Sequence, residues 1–201
     1  MDKEVFFANL KKRGFQISSF ETKEEAAEYL NRAIDQTSVG MASSVTLDTL
    51  GIYEKLKEHN EVWWHWQIPE GMSDKEVRYK ERSAAVYLSS LNGAAESGEL
   101  INIDNTGNRV AETAYGHQKV YLVIGRNKLA ESFEKALERA RNVAAPCNAK
   151  RMHRTGTPCI HGDHCFDCQS PERICRILMV FWEAPRGAEY EVVYVDEELG
   201  Y

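Results

Sequence analysis

The chain has 201 residues, 43% of them hydrophobic and 28% charged, with 25 basic against 31 acidic residues and a net charge of −6. That length suits one domain and that apolar share fills a core, while the acidic balance argues against a phosphate-backbone binder, so no nucleic-acid partner is expected. No apolar run approaches bilayer length and the opening MDKEVFFANLKKRG is too charged for a signal peptide, so a cytoplasmic protein with no membrane partner is expected.

Helical and extended patterns alternate from end to end. Residues 2–13 place Val5, Phe6 and Leu10 on one side of a helix, and 15–18 are extended. Residues 22–34 open with Thr22 and Glu25 at capping-box spacing and carry Ala26, Tyr29, Leu30 and Ala33 on one face. A small strand over 37–41 is followed by Ser43-Ser44 and a helix over 45–58. Residues 62–66 form an aromatic strand ended by Pro69 and Gly71, in which Trp63, Trp64 and Trp66 around His65 read as core and interface packing. A helix over 73–84, a strand over 85–89, a turn at Asn92-Gly93 and a strand over 100–103 come next. VYLVIG at 120–125 is a continuous apolar run of the kind buried on both faces of a parallel sheet. A helix over 129–143 and strands over 177–182 and 190–195 complete the chain. The alternation predicts an α/β fold with a mostly parallel sheet covered by helices.

Four of the five cysteines, Cys159, Cys165, Cys168 and Cys175, lie in one irregular stretch, TPCIHGDHCFDCQSPERIC. The stretch, about 146–176, reads as a loop inserted into a single domain spanning 1–201, and it lacks apolar periodicity of its own. In a reducing compartment clustered cysteines read as metal ligands or redox groups before disulfides. Four thiolates at flexible spacing suit an iron–sulfur cluster, with Cys165-x-x-Cys168 supplying two ligands from one turn. Zinc is the alternative, with His161 or His164 able to replace a thiolate, and reduced thiols or a redox pair at 165 and 168 the plainer reading. Cys147 reads as a buried free thiol.

Three polar segments lie just after strands, where open α/β sheets bind ligands. Gly40-Met41-Ala42-Ser43-Ser44-Val45-Thr46 offers backbone N–H groups and the hydroxyls of Ser43, Ser44 and Thr46 to a carboxylate or phosphate, or simply caps a helix. Asp104 to Arg109 is a polar turn in which Asp104 and Asn108 satisfy the backbone or a ligand and Arg109 can clasp the carboxylate of a 2-hydroxy or 2-oxo acid. Gly125-Arg126-Asn127-Lys128 supplies Asn127 as a hydrogen-bonder or helix cap and Lys128 as a cation. Glu197, beside Glu198 near the end of the sequence, is a candidate orienting base; it and Lys128 are the candidate catalytic groups.

NGAAESGELINIDNTGNRVA, YGHQKVYLVIGRNKL, APCNAKR, GMASSVTLDTLGI, CFDCQSPERIC and VYVDEELGY, taken together, resemble the lactate-utilization (LUD) domain family, in a short form with a C-terminal cysteine loop like that of anaerobic bacteria. The resemblance covers residue 38 onward. It implies a three-layer α/β sandwich similar to the CoA-transferase and ribose-5-phosphate-isomerase superfamily. It also implies a part in oxidising lactate to pyruvate through iron–sulfur proteins, as an oxidoreductase component with an Fe–S partner protein. The contrasting reading is a non-catalytic module that binds or senses a small anion and carries a structural zinc. Homo-oligomerisation is left open by both.

Overall fold

A computed structural model describes residues 2–201. Helix α1 (Lys3–Lys12) is capped by Asp2, whose carboxylate accepts from the Glu4 and Val5 amides, and leads into β1 (Gln16–Phe20). Helix α2 (Lys23–Ala33) starts with the expected reciprocal bonds between Thr22 and Glu25. Strand β2 (Ser38–Met41) precedes α3 (Val45–Leu50) and α4 (Ile52–Lys57), then β3 (Glu61–Trp63). Helix α5 (Asp74–Ser83) carries a second capping box from Ser73 and Glu76. Next come β4 (Val86–Ser90), β5 (Gly93–Ala95), β6 (Leu100–Asp104), α6 (Asn108–Ala114) and β7 (Lys119–Gly125). The chain closes with β8 (Leu129–Ala130), α7 (Phe133–Arg139), α8 (Ala145–Arg151), β9 (Ile177–Phe181) and β10 (Glu189–Val195).

Six strands form one wholly parallel sheet in the order β1-β10-β7-β4-β2-β3, with VYLVIG at its centre as its composition predicts. Side chains alternate across β7. Val120, Leu122 and Ile124 face one core with Phe6, Phe7 and Leu10 of α1, while Tyr121 and Val123 face another with Ala26, Leu30, Leu47 and Leu56 of α2–α4. The result is an α/β sandwich of three layers: helices α2–α4, the parallel sheet, and a layer built of α1 and a second sheet. That second sheet, β8-β5-β6-β9, was not foreseen; α7 packs on its outer side through Ala136 against Ala95 and Ile101.

Several expected boundaries move for identifiable reasons. The helix over 45–58 is two, because Gly51 sits at φ +67, ending α3 and starting α4. Asn92-Gly93 is no turn: Gly93 begins β5, pressed so near α7 that a Cβ there would lie 2.6 Å from the Ala136 carbonyl oxygen. The helix over 129–143 starts late, since Leu129 and Ala130 pair in parallel with β5, and Ser132 supplies its cap. It then runs through a π-helical turn, Ala140–Ala144, into α8, so the cysteine loop begins after Arg151 rather than near 146. Cys147 is therefore on a helix and half-exposed, not buried. Among the described residues no helix is long and apolar enough to cross a membrane.

Candidate functional site

A cavity of about 390 Å³ opens at the C-terminal ends of β2, β4, β6 and β7, within the size range of small-molecule sites. The structure brings together there Ser43, Ser44, Thr46, Asp104, Asn108, Arg109 and Lys128. These come from three separate stretches of sequence: those after β2 and β7 meet because parallel strands deliver their ends to one edge, and the one after β6 reaches the same edge from the second sheet.

Lys128 forms the floor. The chain leaves β7 through a single 3-10 turn, Arg126–Lys128, which turns this side chain inward, where it is only 2% exposed. Its Nζ donates to Thr46 Oγ1 at 2.6 Å and Ser90 Oγ at 2.7 Å. Burial, and then the positive charges of Arg139 and Arg109, push its pKa well below the ordinary 10.5. Arg139, on α7, donates to the carbonyls of Asn127 and Asn92 at 2.5 Å each, fastening the segment that carries Lys128 to the segment after β4.

Arg109 stands on α6, a helix absent from the sequence-based reading because Gly107, at φ +95, looked like part of a turn. Asp104 starts it by accepting from the Asn105 amide at 2.8 Å and the Val110 amide at 3.2 Å. Arg109 Nη2 is held by the Ile103 carbonyl at 2.5 Å and by Asn92 Oδ1 at 3.3 Å, which orients the guanidinium along the cavity wall. Burial lowers its pKa from the ordinary guanidinium value. The Asn108 side-chain nitrogen, buried at the same wall, has no partner among the described residues.

The glycine-serine segment divides its roles. Ser44 caps α3, accepting from the Leu47 amide at 3.4 Å, and Thr46 Oγ1 donates to the Leu199 carbonyl at 3.2 Å. Gly40 is small for packing rather than for ligand approach: it lies within β2, where a Cβ would meet the Glu81 carbonyl oxygen at 2.6 Å. Asn127 caps no helix. Its amide clasps the last residues, accepting from Leu199 N at 3.2 Å and donating to the Gly200 carbonyl at 3.0 Å. The Glu197 carboxylate accepts from the Lys23 amide at the start of α2, outside the cavity lining.

Other cavity residues escaped the sequence reading. His65 lines it, with Nδ1 2.7 Å from Glu81 Oε1, and the same oxygen accepts the His65 backbone N–H at 2.5 Å. Trp66 also lines it, stacked on Trp64 at 5.3 Å and covered by the Arg151 guanidinium at 5.0 Å, so this tryptophan serves the site as well as the core. Ser90, the second of two serines ending a buried strand, was the one with a visible signal. Arg78, Arg109, Lys128 and Arg151 stand against Asp74 and Asp104 in the lining, and Arg78 Nε binds Asp74 at 2.7 Å. In a chain of net charge −6 this is a locally basic cavity suited to an anion.

The cysteine stretch has one 3-10 turn, Pro158–Ile160, and is organised by Arg173, which donates to the carbonyls of Cys168 and Cys175 at 2.8 Å and to Asp167 at 3.0 Å. All four cysteines are free and half-buried. Cys165 and Cys175 line a second cavity of about 250 Å³ with Arg141 and Arg173, and Arg141 Nη2 donates to Cys165 Sγ at 3.5 Å. Burial raises the Cys175 thiol pKa. Cys159 and Cys168 stand outside that cavity's lining; Cys159 bonds Thr157 Oγ1 at 3.8 Å. The donor types suit a soft metal or cluster, but among the described residues no three His, Cys, Asp or Glu side chains converge on one point as folded here.

No curated protein matches the chain. A crystal structure of a DUF162 family protein from Deinococcus radiodurans superposes with a TM-score of 0.54 over 96% of this chain and 95% of that one, at 12% identity, a likeness of fold. The model of the LUD domain matches residues 3–195, nearly the whole fold and all the strands that build the cavity, and on that match the chain belongs to the LUD domain family.

Proposed function

We propose that this protein is a lactate-utilization-type component of a 2-hydroxy-acid oxidation system, holding a small carboxylate, or a phosphorylated acid, in the cavity at the strand ends. The observation that carries the reading is the Arg109 guanidinium, standing with Arg78 and Arg151 in one basic cavity in an acidic protein. The guanidinium would clasp the acid's carboxylate, and the Ser43 hydroxyl would order a remaining oxygen. The family assignment supports lactate as the first acid to try.

Electrons would leave through an iron–sulfur cluster held by Cys159, Cys165, Cys168 and Cys175 and pass to an Fe–S partner protein. Four free thiols in one segment, two already sharing a cavity, support this part. Closing all four on one centre requires the loop to rearrange around Arg173.

Two measurements test the halves separately. Calorimetric titration with lactate and pyruvate is expected to show binding that Arg109→Ala weakens by about 1.5–3 kcal/mol, the worth of a charge-assisted bond; unchanged affinity removes Arg109 from the site. Protein purified without oxygen is expected to contain iron and acid-labile sulfide, lost in the Cys165→Ala, Cys168→Ala double variant with the far-UV spectrum intact. Zinc without sulfide would make the loop a structural staple, and metal retained by the double variant would refute the ligand assignment.

A further inference from the structure

We propose that Lys128 forms a reversible imine with the carbonyl carbon of a 2-oxo acid bound in the cavity. The proposal rests on the small-acid reading above and adds a covalent step to it.

The direction of the hydrogen bonds around Nζ points to this chemistry. Thr46 Oγ1 lies 3.2 Å from the Leu199 carbonyl, which can only accept, so the threonine proton is spent there. Ser90 Oγ lies 3.2 Å from Thr46 Oγ1 and must therefore donate to it. Both hydroxyls have thus used their protons and can only accept from Lys128, at 2.6 and 2.7 Å. Two of the three outer positions of the amine nitrogen are N–H groups aimed at protein, and the third belongs to the cavity that Lys128 lines.

That third position is either an N–H or a lone pair, and the surroundings favour the lone pair. Among the described residues the bonds of Lys128 run to hydroxyls and none to a carboxylate. Of the two acids in the cavity lining, Asp74 is taken by Arg78 and Asp104 by the start of α6. The nearby charges from α6 and α7, Arg109 and Arg139, are both positive, and the amine is buried. A desolvated lysine beside other cations is the setting in which amines attack carbonyls.

The step is balanced without an oxidant. The Nζ lone pair attacks the C2 carbonyl carbon and one amine proton passes to the carbonyl oxygen, giving a carbinolamine. The second amine proton then passes to that hydroxyl as its C–O bond breaks, so that water departs and C=N remains. His65, whose Nδ1 lies 2.7 Å from Glu81, lines the same cavity. A 2-hydroxy acid can fill the cavity but cannot make this bond, so the lysine separates the oxidised acid from its reduced partner by chemistry rather than shape.

The test is reductive trapping on the full chain. Protein is incubated with pyruvate and cyanoborohydride, then with lactate in its place, and tryptic peptides are mapped by mass; pyruvate binding is measured in parallel by calorimetry. The expected result is a carboxyethyl group on Lys128 with pyruvate, none with lactate, and loss of the adduct in Lys128→Met. Mapping on the unaltered chain makes the result independent of how the variant folds. Binding of pyruvate without an adduct at Lys128 would overturn the imine and leave the small-acid cavity standing. An adduct spread over surface lysines, equal in both proteins, would also overturn it. Absence of both adduct and binding would remove the cavity reading along with the imine.

Discussion

Glu81→Ala is expected to destabilise the fold by about 2–6 kcal/mol, the cost of leaving two buried donors without their acceptor. The carboxylate is 2% exposed, and one of its oxygens accepts both the backbone N–H and the Nδ1 of His65. Alanine leaves two donors facing a void where water has little room, so each loses its bond without replacement. The helix bearing Glu81 also packs its backbone oxygen against Gly40 of β2, so slack at this position reaches the central sheet. Glu81→Gln keeps an acceptor in place and is expected to cost roughly half as much, since a neutral bond replaces a charged one. Urea denaturation of the three proteins measures the series. A loss under about 1 kcal/mol for alanine would mean that water reaches His65 and that the pair is not desolvated.

Lys128→Met is expected to do the opposite, raising stability at neutral pH by about 1 kcal/mol or more while abolishing the adduct with pyruvate. Methionine matches the unbranched stem of lysine and needs no solvation, and the Ser90 and Thr46 protons keep their acceptors when the amine is gone. Native Lys128 titrates well below 10.5, whereas the unfolded chain holds that proton up to 10.5. Below 10.5 the unfolded state therefore binds more protons than the native one. Stability owed to this group is complete above 10.5 and is lost as pH falls toward the native value. Across that window the natural protein should lose up to about 1.4 kcal/mol per pH unit relative to the variant. Denaturation curves of both proteins at neutral and alkaline pH measure the difference. A variant less stable than its parent at neutral pH would make the amine a structural anchor.

Local chemistry was legible wherever it acted within a few residues. Thr22 with Glu25 announced the start of α2, and VYLVIG announced a strand buried on both faces. The second sheet was hidden because β5 and β8 hold three and two residues, too few to show a period, and exist only by pairing across the fold. Lys128 and the hydroxyls of 43–46 were found because each lies shortly past a strand of the parallel sheet, which gathers such positions along one edge, and Arg109 because the polar turn after β6 of the second sheet ends at the same cavity. The same rule chose Asn127, whose side chain turns instead to Leu199 and Gly200. His65 and Glu81 were invisible as a pair: they lie sixteen residues apart, one among tryptophans and the other on a helix, and only the packing of α5 beside β3 makes them partners. The thiols were obvious by count, yet side-chain number says nothing of where each one points.

The continuous run from α7 through the π-helical turn into α8 touches both unusual regions of the molecule. From the turn, Asn142 accepts the Cys165 amide at 2.8 Å and Arg141 reaches its sulfur. From α8, Asn148 and Arg151 help wall the cavity at the strand ends. Two receptors that share one rigid part are thermodynamically linked: if a ligand of the cysteine loop displaces the rod, it changes affinity in the cavity by some factor, and the cavity's ligand must then change affinity in the loop by that same factor. Occupancy of the thiols and occupancy by the acid would then be two readings of one equilibrium.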